Sequence, residues 1–328
     1  MTMILDIARH KFYEALLVLL FASSVMVLIG ILSPCDVSMM ADSATPLSAY
    51  IMHFSQGNRV LSAIAASVLC AAGALVLTRS TLRSPIFPSR TMAVISLFPL
   101  LMLPVIIMGD VLVYGCVSLL SAISVSRLLK CYGPHVSSAS IFMSLLSAGV
   151  LPLLDVSLVV VPLLLMVAVI ASRATFRESV IAIVAALLPI FAWCYIMWCC
   201  GGTFADELLF LWRLVIGGSQ FAWFDLITIP LLIFLLYTAL LLAAVIWRYF
   251  VDRTCFNGAV RSMWATLFLL IVVVVATFLL LPSSSPALLV VLMVTVVSIL
   301  PLLFLSLSTP LSLAAYLLLF VLSIVAAI

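Results

Sequence analysis

Charge is what this chain has least of. Only 8% of its 328 residues are Asp, Glu, Lys or Arg, while 67% are hydrophobic and the mean hydropathy is +1.47. A soluble domain carries about 25% charged residues. No water-soluble core of this length absorbs so much apolar surface, so the surplus faces lipid and the bilayer is the first partner implied. The net charge of +3 is small and contains no basic run, which argues against nucleic acid.

Chemical motifs are missing as well. There is no Gly-rich phosphate loop, no His-Glu-x-x-His and no nucleophile elbow. The three histidines, His10, His53 and His135, fall on different loops and on both sides of the membrane in the threading given below, so they do not share a metal. The eight cysteines have no metal spacing; most lie in apolar segments, where cysteine packs as a small hydrophobe. Cys199-Cys200 is a vicinal pair with redox potential, but no third ligand or basic activator stands beside it. Apart from Glu14, no ionisable residue sits deep in an apolar segment. Ion-driven carriers and proton relays keep such groups at mid-membrane, so this absence argues against them. Neither a fixed-period repeat nor a pair of matching halves is present.

What the chain does have is long apolar runs. A spanning helix needs about 20 apolar residues. Eleven segments qualify: Phe12–Leu32, Val60–Thr78, Met92–Met108, Val111–Ser126, Val136–Leu153, Val156–Ser172, Val180–Cys200, Leu226–Trp247, Met263–Leu281, Ala287–Leu305 and Leu311–Ile328. The first exceeds the about 7–15 residues of a signal h-region and reads as a retained anchor. The pairs meeting at Gly109-Asp110 and at Asp155 are short, which suits tilted or re-entrant helices as well as spans.

Threading from a cytoplasmic N-terminus leaves twelve of the fourteen Lys and Arg residues inside, with only Arg59 and Arg213 outside. That is the positive-inside rule, and the opposite threading violates it nearly everywhere. The fold class is therefore all-α: a polytopic transmembrane protein of about eleven spans, N-terminus cytoplasmic, forming one integral membrane domain over 1–328. The same threading sends Asp36, Asp42, Asp110, Asp155, Asp206, Glu207 and Asp225 outside, seven of eleven acids.

Two outer loops exceed simple turns. In the first, Thr45-Pro46 reads as a helix start, Leu47, Tyr50, Ile51 and Phe54 as an apolar stripe, and Gly57 as a stop. In the second, Phe204, Leu208, Leu211, Trp212 and Val215 share one face before Gly217-Gly218. Both predict helices lying in the interface, near 45–56 and 204–216. Trp193, Tyr195, Trp198, Phe221, Trp223 and Phe224 gather beside the second, as an aromatic belt or as a lipid- or glycan-facing platform. The outer carboxylates read in two ways. Acids at a turn before an apolar run cap the next helix; a pair held near an interface can also act as general base and metal ligand in transfer from an activated phosphate.

The stretch 140–202, with Ser172-Arg173-Ala174-Thr175-Phe176-Arg177-Glu178 and then Leu188-Pro189, resembles a family of uncharacterised multi-spanning bacterial inner-membrane proteins. More loosely, the layout is similar to the GT-C class of membrane glycosyltransferases: a first span, an outer loop with an interfacial helix and an acid, then paired spans with acids on short outer turns. That resemblance implies a bacterial inner-membrane transferase using a polyprenyl-phosphate-linked sugar in cell-envelope glycan synthesis. Asp42 or Asp36 would be its base. Asp110 and Asp155 would position the donor phosphate or a divalent metal, and Arg213 or Arg59 would pair with the phosphate charge. Three features depart from that class: the first loop is short, no Asp-x-Asp or Glu-x-Asp surrounds Asp110, and no soluble domain follows. The rival expectation is a non-enzymatic scaffold subunit, or an uncoupled lipid or solute conduit, whose acids are caps.

Overall fold

The computed structural model describes residues 12–32, 45–82, 91–132, 138–173, 175–217, 227–252, 258–280 and 285–328. All regular structure among these residues is helical: α1 (Phe12–Leu32), α2 (Pro46–Gly57), α3 (Arg59–Thr81), α4 (Ala93–Ile107), α5 (Val111–Cys131), α6 (Ser138–Leu154), a 3-10 turn (Val156–Val159), α7 (Val160–Arg173), α8 (Phe176–Cys199), α9 (Phe204–Gly217), α10 (Ile229–Asp252), α11 (Gly258–Leu280), α12 (Ala287–Ile299), α13 (Pro301–Ser306) and α14 (Thr309–Ala327). Eight helices are long and apolar enough to cross a membrane, α12 and α13 counting as one. Ala93–Ile107, Ser138–Leu154 and Val156–Ala171 are apolar but shorter. Within the described residues, each apolar segment read from the sequence coincides with one or two of these helical elements, and the chain is a multi-pass membrane protein.

α4 and α12 form the centre. α4 is buried from Ala93 to Ile106, and α12 is buried along almost its whole length. Both are apolar all round, as helices packed on every side must be. α4 packs against α1, α3, α12 and α14, and α12 also meets α5 and α11. At 15 residues, α4 rises only about 22 Å, short of a hydrocarbon core of about 30 Å.

Close approach between neighbours depends on small residues, as is usual where lipid supplies no hydrophobic drive for helix association. α3 and α5 pack along much of their length, α3 burying Ala66, Ser67, Cys70 and Ala74 and α5 burying Gly115, Ser118, Ser121 and Ala122. A Cβ on Gly115 would stand 3.0 Å from the Ala66 Cα. α6 and α8 meet still closer at Gly149, where a Cβ would come within 2.4 Å of the Ala186 carbonyl oxygen. Hydroxyls then staple the bundle. Ser124 and Ser144 exchange bonds, each Oγ donating to the other's backbone carbonyl at 3.0 and 2.9 Å. Ser80 and Ser126 join α3 to α5 at 2.5 Å, and Tyr237 on α10 donates to the Ala315 carbonyl on α14 at 2.9 Å.

Helices occupy both stretches expected to lie in the interface, Pro46–Gly57 and Phe204–Gly217. Thr45 caps α2, accepting from the Ser48 N–H, and Pro46 opens it, as the sequence predicts. The inward face of α2 differs from the predicted stripe: Leu47 and Ile51 pack on the core and Met52 is buried, while Tyr50 and Phe54 are exposed. α2 rests on α3, α5 and α6, and its rotation follows Thr45, which is fully buried and tied to α6.

Candidate functional site at the α2, α6 and α9 corner

The turns that carry Asp110 and Asp155 are built the same way. At Gly109-Asp110, the Asp110 carboxylate accepts the Leu112 and Val113 N–H groups, each at 3.0 Å, so it caps α5. It is buried, with 2% of its surface exposed. Asp155 ends α6 and caps the 3-10 turn: one oxygen accepts the Ser157 N–H at 2.9 Å and the Ser157 hydroxyl at 2.6 Å. The helix-capping reading therefore holds for both residues as geometry. A carboxylate at an N-cap satisfies orphan N–H groups and sits favourably in the helix dipole.

α2 packs on both helices that carry these turns. The Thr45 hydroxyl donates to the Leu153 carbonyl at 2.5 Å, taking one of the orphan acceptors at the α6 C-terminus. The described chain thus re-enters at Thr45 two residues from Asp155, while α2 also packs on α5, which Asp110 begins. Asp42 precedes Thr45 by three residues in the sequence. Asp36, Asp42 and Asp225 lie outside the described residues, as do Phe221, Trp223 and Phe224.

The ionisation of Asp155 is perturbed. Burial pushes its carboxyl above the usual carboxylate range, opposed by hydrogen bonds from the Ser157 and Ser285 side chains and the Ser157 backbone. A raised carboxyl in the folded state means the folded protein holds its proton more tightly than the unfolded chain. Its contribution to stability is therefore fully present below the unfolded value and is lost as pH rises through the folded one. Asn caps as well as Asp and carries no charge to bury. Asp155→Asn is accordingly expected to match or exceed the wild type in thermal stability at neutral pH, and the gap should narrow on acidification. A variant that melts lower than wild type at neutral pH would show that the charged form does more than cap.

Beneath α9 lies a cavity of about 470 Å³, half open to the outside. The end of α6 supplies Pro152 and Leu153; the 3-10 turn and α7 supply Val156, Val159 and Leu163; α8 supplies Leu187, Ile190 and Phe191. α9 roofs it with Leu208, Leu209, Leu211 and Trp212. Among the described residues its lining is apolar apart from the Trp212 indole N–H. The predicted face of α9 is thereby half explained: Leu208, Leu211 and Trp212 close the cavity, and Phe204 stacks on Phe191 with ring centres 6.2 Å apart. α9 leaves α8 through a glycine stop, Gly201, at φ 97°, where a side chain would be strained. Thr203 then bonds the Asp206 carboxylate at the start of α9.

The remaining sequence candidates are dispersed. Arg59 opens α3 and is exposed; Arg213 is exposed on α9 and has no polar partner among the described residues. His53 is exposed on α2. Cys199 and Cys200 are free thiols at the exposed end of α8. Among the described residues, no group of three or more His, Cys, Asp or Glu side chains could hold a metal ion. The sequence reading missed the α7 and α8 walls of the cavity, which lie on segments uniformly apolar along their length. No family model, curated protein or solved structure matches this chain.

Proposed function

We propose that this is an eleven-span protein of the bacterial inner membrane, N-terminus in the cytoplasm, that acts at the outer face as a transferase on a lipid-linked, phosphate-activated sugar. The charge distribution supports the orientation. The observation that carries the transferase reading is the bond from Thr45 to the Leu153 carbonyl, which draws the end of the acid-bearing first loop to the turn of Asp155. Asp42 or Asp36 takes the proton of an acceptor hydroxyl as its oxygen bonds to the sugar carbon and the phosphate leaves with the bonding electrons. Asp155 positions the donor phosphate or a divalent metal, and Arg213 or Arg59 offsets the phosphate charge. Asp110 serves by fixing α5.

A second reading, a scaffold or lipid conduit without chemistry, is favoured by the capping geometry of both described turn acids. The readings separate at equal expression. Transfer of labelled sugar into envelope glycan is expected to fall to background in Asp42→Asn or Asp36→Asn and to persist in Asp206→Asn. Unchanged transfer in the first two would leave the scaffold reading standing.

A further inference from the structure

The cavity beneath α9 takes no part in the acid chemistry proposed above, and its walls say what fills it. Leu163, Leu187, Phe191, Leu208, Leu209 and Trp212 line it and are 40–61% exposed. On apolar helices in or beside a bilayer, such exposure is to hydrocarbon. Water has at most the Trp212 indole N–H as a polar partner in this space and does not order there. The volume lies within the about 300–1,000 Å³ of ordinary ligand sites.

A lipid tail is as apolar as the walls, so the tail alone gains little by entering, and preference must come from the head. Arg213 supplies it. It stands on the roof helix four residues after Leu209 and directly after Trp212, both cavity residues, which puts it next to the lining without being part of it. Its guanidinium is exposed and unpartnered among the described residues. The acids of α9 are not competitors: Asp206 is engaged by Thr203, and both Asp206 and Glu207 lie in the first turn, at the far end of the helix from Arg213. An unpaired guanidinium beside a hydrocarbon slot, on a helix lying in the interface, matches a phosphate ester carrying a hydrocarbon chain.

We propose that this corner binds a phospholipid of the surrounding leaflet, with one acyl chain in the cavity under α9 and its phosphate on Arg213. The assignment shares Arg213 with the transferase reading but none of its acids, and that reading has Arg59 as its other candidate cation, so the two stand or fall separately. The full chain, purified in mild detergent and examined by native mass spectrometry, is expected to retain one phospholipid. Leu163→Trp and Leu187→Trp, which fill the cavity, are expected to lose it while eluting as folded monodisperse protein. Arg213→Gln should lower retention about tenfold or more, the scale of one charge-assisted bond. Arg79→Gln, an exposed cation elsewhere on α3, should not. Absence of a retained lipid, or retention unchanged in both tryptophan variants, overturns the proposal. So does a retained species that is polyprenyl phosphate rather than phospholipid, an outcome that would strengthen the transferase reading instead. Loss of the phospholipid site leaves the Asp42 test of that reading unaffected.

Discussion

Gly149→Ala is expected to destabilise the folded protein by about 3 kcal/mol, the upper end of ordinary overpacking. The new methyl carbon would stand 2.4 Å from the Ala186 carbonyl oxygen, 3.1 Å from its carbon and 3.2 Å from the Pro189 ring. An oxygen on a helix backbone cannot rotate away as a side chain can, and the proline ring beside it is rigid. α6 and α8 must therefore separate, and the walls of the cavity under α9 move with them. Gly57→Ala is the matched control, since no atom lies within 4 Å of its added carbon; it should change stability by under about 1 kcal/mol. Thermal unfolding of both variants in detergent decides the matter. If Gly149→Ala melts with Gly57→Ala, the close approach of α6 and α8 is wrong.

Ser323→Ala carries the next largest effect, about 1.5 kcal/mol, between the ordinary value for a membrane interhelical hydrogen bond and the cost of an orphaned buried carbonyl. Pro104 lacks an N–H, so the Leu100 carbonyl four residues earlier loses its helical partner. The Ser323 hydroxyl on α14 donates to that carbonyl at 2.5 Å, with both residues buried. The test is a double-mutant cycle. In a Pro104→Ala background the returning N–H re-pairs Leu100, and Ser323→Ala should cost less than half of its value in the native background. Additive costs would mean that the serine and the proline are unrelated.

The helices were legible because lipid demands long apolar runs, and Phe12–Leu32 falls on α1 end for end. Boundaries were least legible where helices continue past the apolar stretch. α3 runs on through Arg79, α5 through Arg127 and Lys130, and α10 through Arg248 to Asp252. Hydropathy marks where hydrocarbon stops, whereas the backbone stays helical until its hydrogen bonds run out. The caps at Asp110 and Asp155 could be read because a carboxylate before an apolar run satisfies a local need. The rotation of α2 could not, because it depends on Leu153, 108 residues away from Thr45. The cavity was half visible: an amphipathic α9 announces its face, but the stretches of α7 and α8 that wall it are apolar on every side and give no hint of which side meets it.

The Ser323–Leu100 bond also sets a clock on biogenesis. Its partners are 223 residues apart, which at about 5–20 residues per second is roughly 10–45 s of synthesis. Throughout that interval α4, short and doubly interrupted by proline, waits for α12 and α14 to enclose it. A machinery that holds nascent helices would find its longest-dwelling client in α4, and slowing translation between the two halves should expose that helix to membrane proteases.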